Sequence, residues 1–165
     1  MSNSSSALRR SSASRAVSDE GRSRIPAIVL VLSIIGAGIA AYLTYTHFDE
    51  SALVCAVGDC GTVQSSKYAE LGPVPIAILG LGMYVVLALL ALVRVRGSNA
   101  LSFRHASIAS WAITLAGAVY ALYLTYLEIW VIKAICQWCV ASAIVTGLIL
   151  VAETILLWRI LGEVE

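Results

Sequence analysis

Four stretches of the chain are apolar without interruption: Ile25–Phe48, Leu71–Val93, Ala106–Leu127 and Ala134–Ala152 contain no Asp, Glu, Lys or Arg. Each is near or above the roughly 20 residues that cross a hydrocarbon core about 30 Å thick. A charge at the centre of such a run costs about 2.5–3.5 kcal/mol on insertion scales, so uncharged runs of this length read as membrane spans. The pattern predicts an all-α integral membrane protein, a four-helix transmembrane bundle over residues 25–158. Thr46–Glu70 is the one sizeable loop between spans, with Asp49, Glu50, Asp59 and Glu70. Its Gly58-Asp59 pair predicts a flexible or sharply bent segment. The loop closes with Leu71-Gly72-Pro73-Val74-Pro75, and Pro75 is predicted to start the second span because proline suits a first helical turn. Gly36 and Gly38, then Gly80 and Gly82, thin the helices where neighbours approach.

Composition agrees: 59% of residues are hydrophobic and 13% charged, against about 25% charged in soluble domains. The placement of the basic residues says more than the net charge of +1. Arg9, Arg10, Arg15, Arg22 and Arg24 precede the first span, Arg94, Arg96 and Arg104 lie between the second and third, and Arg159 follows the fourth. Only Lys67 and Lys133 fall on the other side. Positive charge stays on the cytoplasmic side, so both termini are predicted to be cytoplasmic and the 46–70 loop extracytoplasmic. Residues 1–24 hold nine serines and five arginines. That composition predicts a disordered cytoplasmic tail, since it buries too little surface to offset the entropy of ordering. Residues 159–165 are predicted to form a second, short cytoplasmic tail. The first apolar run exceeds the roughly 7–15 residues of a signal peptide, so it reads as a retained span.

All four cysteines fall on the predicted outer side: Cys55 and Cys60 in the loop, Cys136 and Cys139 in a CQWC motif opening the last apolar run. Tyr42-Leu43-Thr44-Tyr45 ends the first span and Tyr123-Leu124-Thr125-Tyr126 the third; a cysteine follows each ten residues on, Cys55 and Cys136. The echo predicts similar depth for the two pairs. Disulfides are made and kept outside the cytoplasm. Cys136 and Cys139, three apart, share a helix face. At a helix N-terminus the free N–H groups and the dipole favour thiolate, the nucleophile of disulfide exchange. Cys136, nearer the end and the water, is the expected exchanging member; Cys139, a turn deeper, is within reach of an apolar redox partner. Zinc typically takes two close pairs, whereas Cys55 and Cys60 are separated by four residues and the nearest histidine, His47, reads as interfacial, so no metal is expected. A disulfide-stapled scaffold without turnover is the other reading, but a CxxC closes too short a loop to add much stability. Redox chemistry at a lipid–water boundary, open to a water-soluble protein and a lipid-soluble carrier, fits better.

The wide pair in the first outer loop, Ser66 six residues after Cys60, and the CxxC opening the last of four helices together resemble the vitamin K epoxide reductase family. "YLTY", "GPVPIAILGLGMY" and "YLTYLEIWVIKAICQWCV" look like its bacterial members, and the resemblance runs from Pro26 to about Trp158. It implies a thiol:quinone oxidoreductase of the bacterial cytoplasmic membrane that supports disulfide formation in exported proteins. It further implies that Cys139 contacts a quinone, menaquinone or ubiquinone, that Cys136 exchanges with Cys60, and that Ser66 helps bind the quinone carbonyl. Cys55 and Cys60 would accept electrons from a reduced thioredoxin-fold thiol oxidase (DsbA-like). Vertebrate members carry a tyrosine four residues after the CxxC; here that position is Ala143, so its polar contact to the quinone is absent. Some members carry a fused thioredoxin-like domain, and this chain ends at Glu165, so a separate partner protein is expected. The unrelated quinone-linked oxidase of Gram-negative envelopes has its CxxC in the first outer loop, the reverse of this order.

Four aromatic or acidic features stay open at this point. Trp138 either packs over the quinone or anchors at the interface, the commoner use of tryptophan. Trp111 and the Tyr120–Tyr126 group are expected to face other helices or lipid. Glu128, near the outer boundary, is expected to be a solvated acid, with a proton relay as the alternative, since an intramembrane charge is costly.

Overall fold

The computed structural model describes residues 3–97 and 99–162. Four long helices, α1 (Asn3–Phe48), α3 (Ile76–Val95), α4 (Ala100–Tyr126) and α5 (Gln137–Gly162), enclose the core, and a short α2 (Cys60–Gln64) lies in the loop after α1. Four segments are long and apolar enough to cross a membrane: Arg24–Phe48, Ile76–Val95, Leu101–Ile132 and Gln137–Gly162. Each of α1 and α4 packs against both α3 and α5, which closes a four-helix bundle. Outward-facing residues such as Val31, Leu89 and Leu122 are large, apolar and exposed, as a lipid-facing surface requires.

The core between the helices is built on Val29, Ala40, Tyr84, Leu87, Ala91, Val145 and Ile149. Gly36 on α1 makes room for the Tyr84 ring of α3; a Cβ at that position would fall onto the ring. The Tyr84 hydroxyl therefore crosses the bundle to α5, donating to the Ser142 carbonyl at 2.9 Å with the Thr146 hydroxyl 2.8 Å away. Nearer the end of the bundle that carries the α3–α4 connection, Arg94 of α3 makes a two-pronged ion pair with Glu153 of α5, at 2.9 and 2.7 Å. Ser110 of α4 donates to the same carboxylate at 2.6 Å. Both charged side chains are fully buried.

Several boundaries differ from expectation. The helix that spans the membrane as α1 continues back to Asn3, so its bounds take in most of the predicted disordered tail; an existing helix extends without a new nucleation step. Met1 and Ser2 lie outside the described residues. The fourth span continues past Ala152 to Gly162 because Arg94 neutralises Glu153 inside the bundle, so part of the predicted C-terminal tail is helical and residues 163–165 lie outside the described residues. Arg94 is accordingly a core residue rather than a loop charge. The second span begins later than its apolar run, because Glu70–Leu71 (β1) and Val74–Pro75 (β2) pair as a small antiparallel hairpin turning at Gly72 with φ +67°. Pro75 is the residue that caps α3 rather than its first turn.

Candidate active site

The loop after α1 is shaped around the first cysteine pair. Cys55 and Cys60 form a disulfide. Between them Gly58 adopts φ +87°, a conformation glycine takes without steric cost. Asp59 then caps α2, accepting from the Thr62 amide at 3.0 Å and the Thr62 hydroxyl at 2.7 Å. The Thr62 side-chain and backbone bonds hold the Asp59 carboxyl below the usual carboxylate range. The short α2 buries Cys60 and Val63, while Cys55 is half-buried and its neighbours Val54 and Val57 are exposed.

The second pair is presented by a break between helices. α4 passes into a π-helical turn, Leu127–Ile132, which ends at Lys133 in the left-handed conformation. The wide turn directs Leu127 and Glu128 inward and leaves Ile129 and Trp130 outside. Ala134–Cys136 then lead into α5. Here the loop and the CQWC segment meet through backbone: Gly58 and Cys136 form an antiparallel bridge, and the Asp59 amide donates to the Ile135 carbonyl at 3.0 Å. The two residues inside the CxxC complete the clamp. Gln137 Oε1 accepts from the Val57 amide at 3.0 Å, and Trp138 Nε1 donates to the Val54 carbonyl at 2.9 Å. Tyr42 of α1 packs against the Trp138 ring, with centroids 4.8 Å apart. Its hydroxyl accepts from the Val54 amide at 2.8 Å and donates to the Ala52 carbonyl at 3.1 Å. Cys60 and Cys136 are both completely buried in one cluster with Leu43 and Val63.

Cys136 and Cys139 carry free thiols. The Cys136 sulfur sits at the start of α5 and accepts from the Cys139 amide at 3.4 Å. A hydrogen bond from the Cys139 thiol, aided by that amide, draws the Cys136 thiol below its ordinary range despite burial. Cys139, half-buried, lies in the wall of a cavity of about 400 Å³ enclosed by α1, α3, α4, α5 and the loop. That is within the size range of small-molecule sites, about 300–1,000 Å³. The lining is predominantly apolar, with polar points at Ser66, Tyr68, Tyr120, Glu128 and Ser142.

The four predicted cysteines are thus brought together, and Ser66 lies in the same cavity wall as Cys139. The Ser66 hydroxyl is turned back onto the Val63 carbonyl at 2.7 Å. One expectation is reversed: Cys136 is not the water-facing member, because the docked loop covers it completely. Trp138 does not line the cavity; it fastens the loop. Among the aromatic group, Tyr120 lines the cavity, Tyr123 and Tyr126 are exposed, and Trp111 donates to the Thr154 hydroxyl at 3.1 Å. Glu128 is not solvated. It is 4% exposed, lines the cavity, and accepts from the Cys136 amide at 3.0 Å. Its inward aim depends on the π-helical turn, which a regular 3.6-residue period does not reveal.

The model of the "Vitamin K epoxide reductase family" matches residues 27–154, well over half of the chain. With four membrane-length helices and two cysteine pairs joined at one end of them, the chain belongs to the vitamin K epoxide reductase family and is a membrane thiol oxidoreductase.

Proposed function

We propose that this protein oxidises a reduced thioredoxin-fold thiol oxidase outside the cytoplasmic membrane and passes the electrons to a membrane quinone. The observation that carries this reading is the division of labour within the CxxC: Cys139 lines an apolar cavity, while Cys136 is packed with Cys60 beneath the loop. Electrons then enter at half-buried Cys55, the cysteine of its pair that a protein partner reaches. The partner's dithiol reduces the Cys55–Cys60 disulfide. Cys60 thiolate attacks Cys136 of an oxidised CxxC, and Cys55 resolves the mixed disulfide, leaving Cys136 and Cys139 as thiols. Re-forming the Cys136–Cys139 bond gives two electrons and two protons to the quinone, menaquinone or ubiquinone, yielding the quinol.

The basic residues flanking the spans support a bacterial orientation with both termini in the cytoplasm, so the thiol chemistry serves exported proteins. Ser66 turns its hydroxyl from Val63 to a quinone carbonyl, and Ala143 in the same wall supplies no hydroxyl at its own position. The test is quinone reduction by the purified full chain with a reduced thioredoxin-fold oxidase as donor. Turnover with both common quinone types is compared between wild type and Cys139→Ser. Turnover in the wild type that is lost in the variant supports the proposal; a well-inserted wild type that reduces neither quinone overturns it.

A further inference from the structure

Oxidising the CxxC releases thiol protons in a place where water has little access, and the quinone must gain two. Glu128 and Glu153 are buried carboxylates. Glu153 is committed to Arg94 and Ser110, away from the cysteines. Among the described residues no cation pairs with Glu128. Its Oε2 accepts from the Cys136 amide at 3.0 Å, and the side chain forms part of the cavity wall together with Cys139. A buried carboxylate bonded to the backbone of one CxxC cysteine and lining the same cavity as the other is placed for general acid–base work.

We infer that Glu128 is a catalytic residue of the quinone-reducing step, taking the proton of the Cys139 thiol and delivering it to a quinone oxygen. The inference rests on the quinone reading above. Cys136 enters as thiolate and Cys139 as thiol. The Cys136–Cys139 bond forms as the Cys139 S–H bond breaks, and the two electrons pass to the quinone. One proton travels from Cys139 through Glu128 to a quinone oxygen. The second comes from water and replaces the one that Cys136 lost on becoming thiolate. The π-helical turn is what makes this possible, since it turns the carboxylate inward while its own backbone carbonyl accepts from the Ala134 amide at 3.1 Å. The other titratable groups around the carboxylate are Cys136, Cys139 and the cavity phenols Tyr68, Tyr84 and Tyr120; α2 brings Cys60, held in its disulfide, and Lys133 is exposed.

The test compares wild type, Glu128→Gln and Glu128→Asp as full chains in membranes or detergent. The amide keeps an acceptor for Cys136 but cannot carry the proton; aspartate can. Expected is a fall of about a hundredfold in the quinone-reduction rate of Glu128→Gln, with quinone KM near wild type and substantial recovery in Glu128→Asp. Reduction of the Cys55–Cys60 disulfide by the donor stays at the wild-type rate. A Glu128→Gln rate and pH profile matching an active wild type overturn the inference, as does an equal loss in Glu128→Asp. An inactive wild type instead condemns the quinone reading itself. Should Glu128→Gln fail to insert, infrared difference spectra of wild type and Glu128→Asp decide. A carboxyl band that changes on oxidation of the dithiol and moves in the aspartate variant supports the inference, and no carboxyl change overturns it.

Discussion

Gly58 and Cys136 are paired as an antiparallel bridge, so the loop carrying one cysteine pair is held by backbone against the start of the helix carrying the other. The exchange between pairs is therefore organised by main-chain geometry, and side chains from Gln137, Trp138 and Tyr42 secure it.

Position 58 of that arrangement tolerates only glycine without strain. A Cβ there would meet the Ile135 carbonyl, and a side chain at φ +87° costs about 1–2 kcal/mol before any clash is counted. Gly58→Ala is expected to slow turnover with the protein donor by about tenfold or more. Turnover with a small dithiol that reduces Cys136–Cys139 directly is expected to fall less. Steady-state assays with the two donors check this.

Tyr42→Phe keeps the ring against Trp138 but removes the hydroxyl that bridges Val54 and Ala52. Losing such a bond costs about 1 kcal/mol, roughly a fivefold change in the population of undocked loop. Alkylation of Cys60 in the reduced protein is expected to accelerate by about that factor, read by mass spectrometry against time.

Arg94 and Glu153 are a buried pair whose separation leaves a charge without a partner inside the bundle. Arg94→Ala is expected to destabilise the protein by about 3–5 kcal/mol, whereas replacing both residues by methionine restores much of the loss. Thermal inactivation in detergent distinguishes the three proteins.

The Cys139 thiol is the main cause of the lowered Cys136 pKa. A thiol with a lowered pKa stays ionised until the pH falls through that lower value, so exchange at Cys136 should persist below the ordinary cysteine range of about 8.5. Cys139→Ala removes the hydrogen bond and should move the pH profile of Cys60–Cys136 mixed-disulfide formation to higher pH. Acid-quench trapping across a pH series provides the measurement; an unmoved profile contradicts the assignment.

Sequence alone was enough to determine the membrane class, the four spans and the shared end of the two cysteine pairs. These follow from properties that sum along a helix: charge-free length, the bias of arginines, and spacing within a CxxC. Tertiary structure decided which groups meet and which face water. Covering Cys136 requires the loop to fold back, and the burial of Arg94 depends on Glu153 reaching it across the bundle from another helix. Trp138 looks like an interfacial anchor until the Val54 carbonyl is brought beside it. Glu128 lies near a span boundary in sequence, where water is the default neighbour. A π-helical turn rotates it inward onto Cys136, and such a turn is set by packing at the helix break rather than by any local pattern of residues.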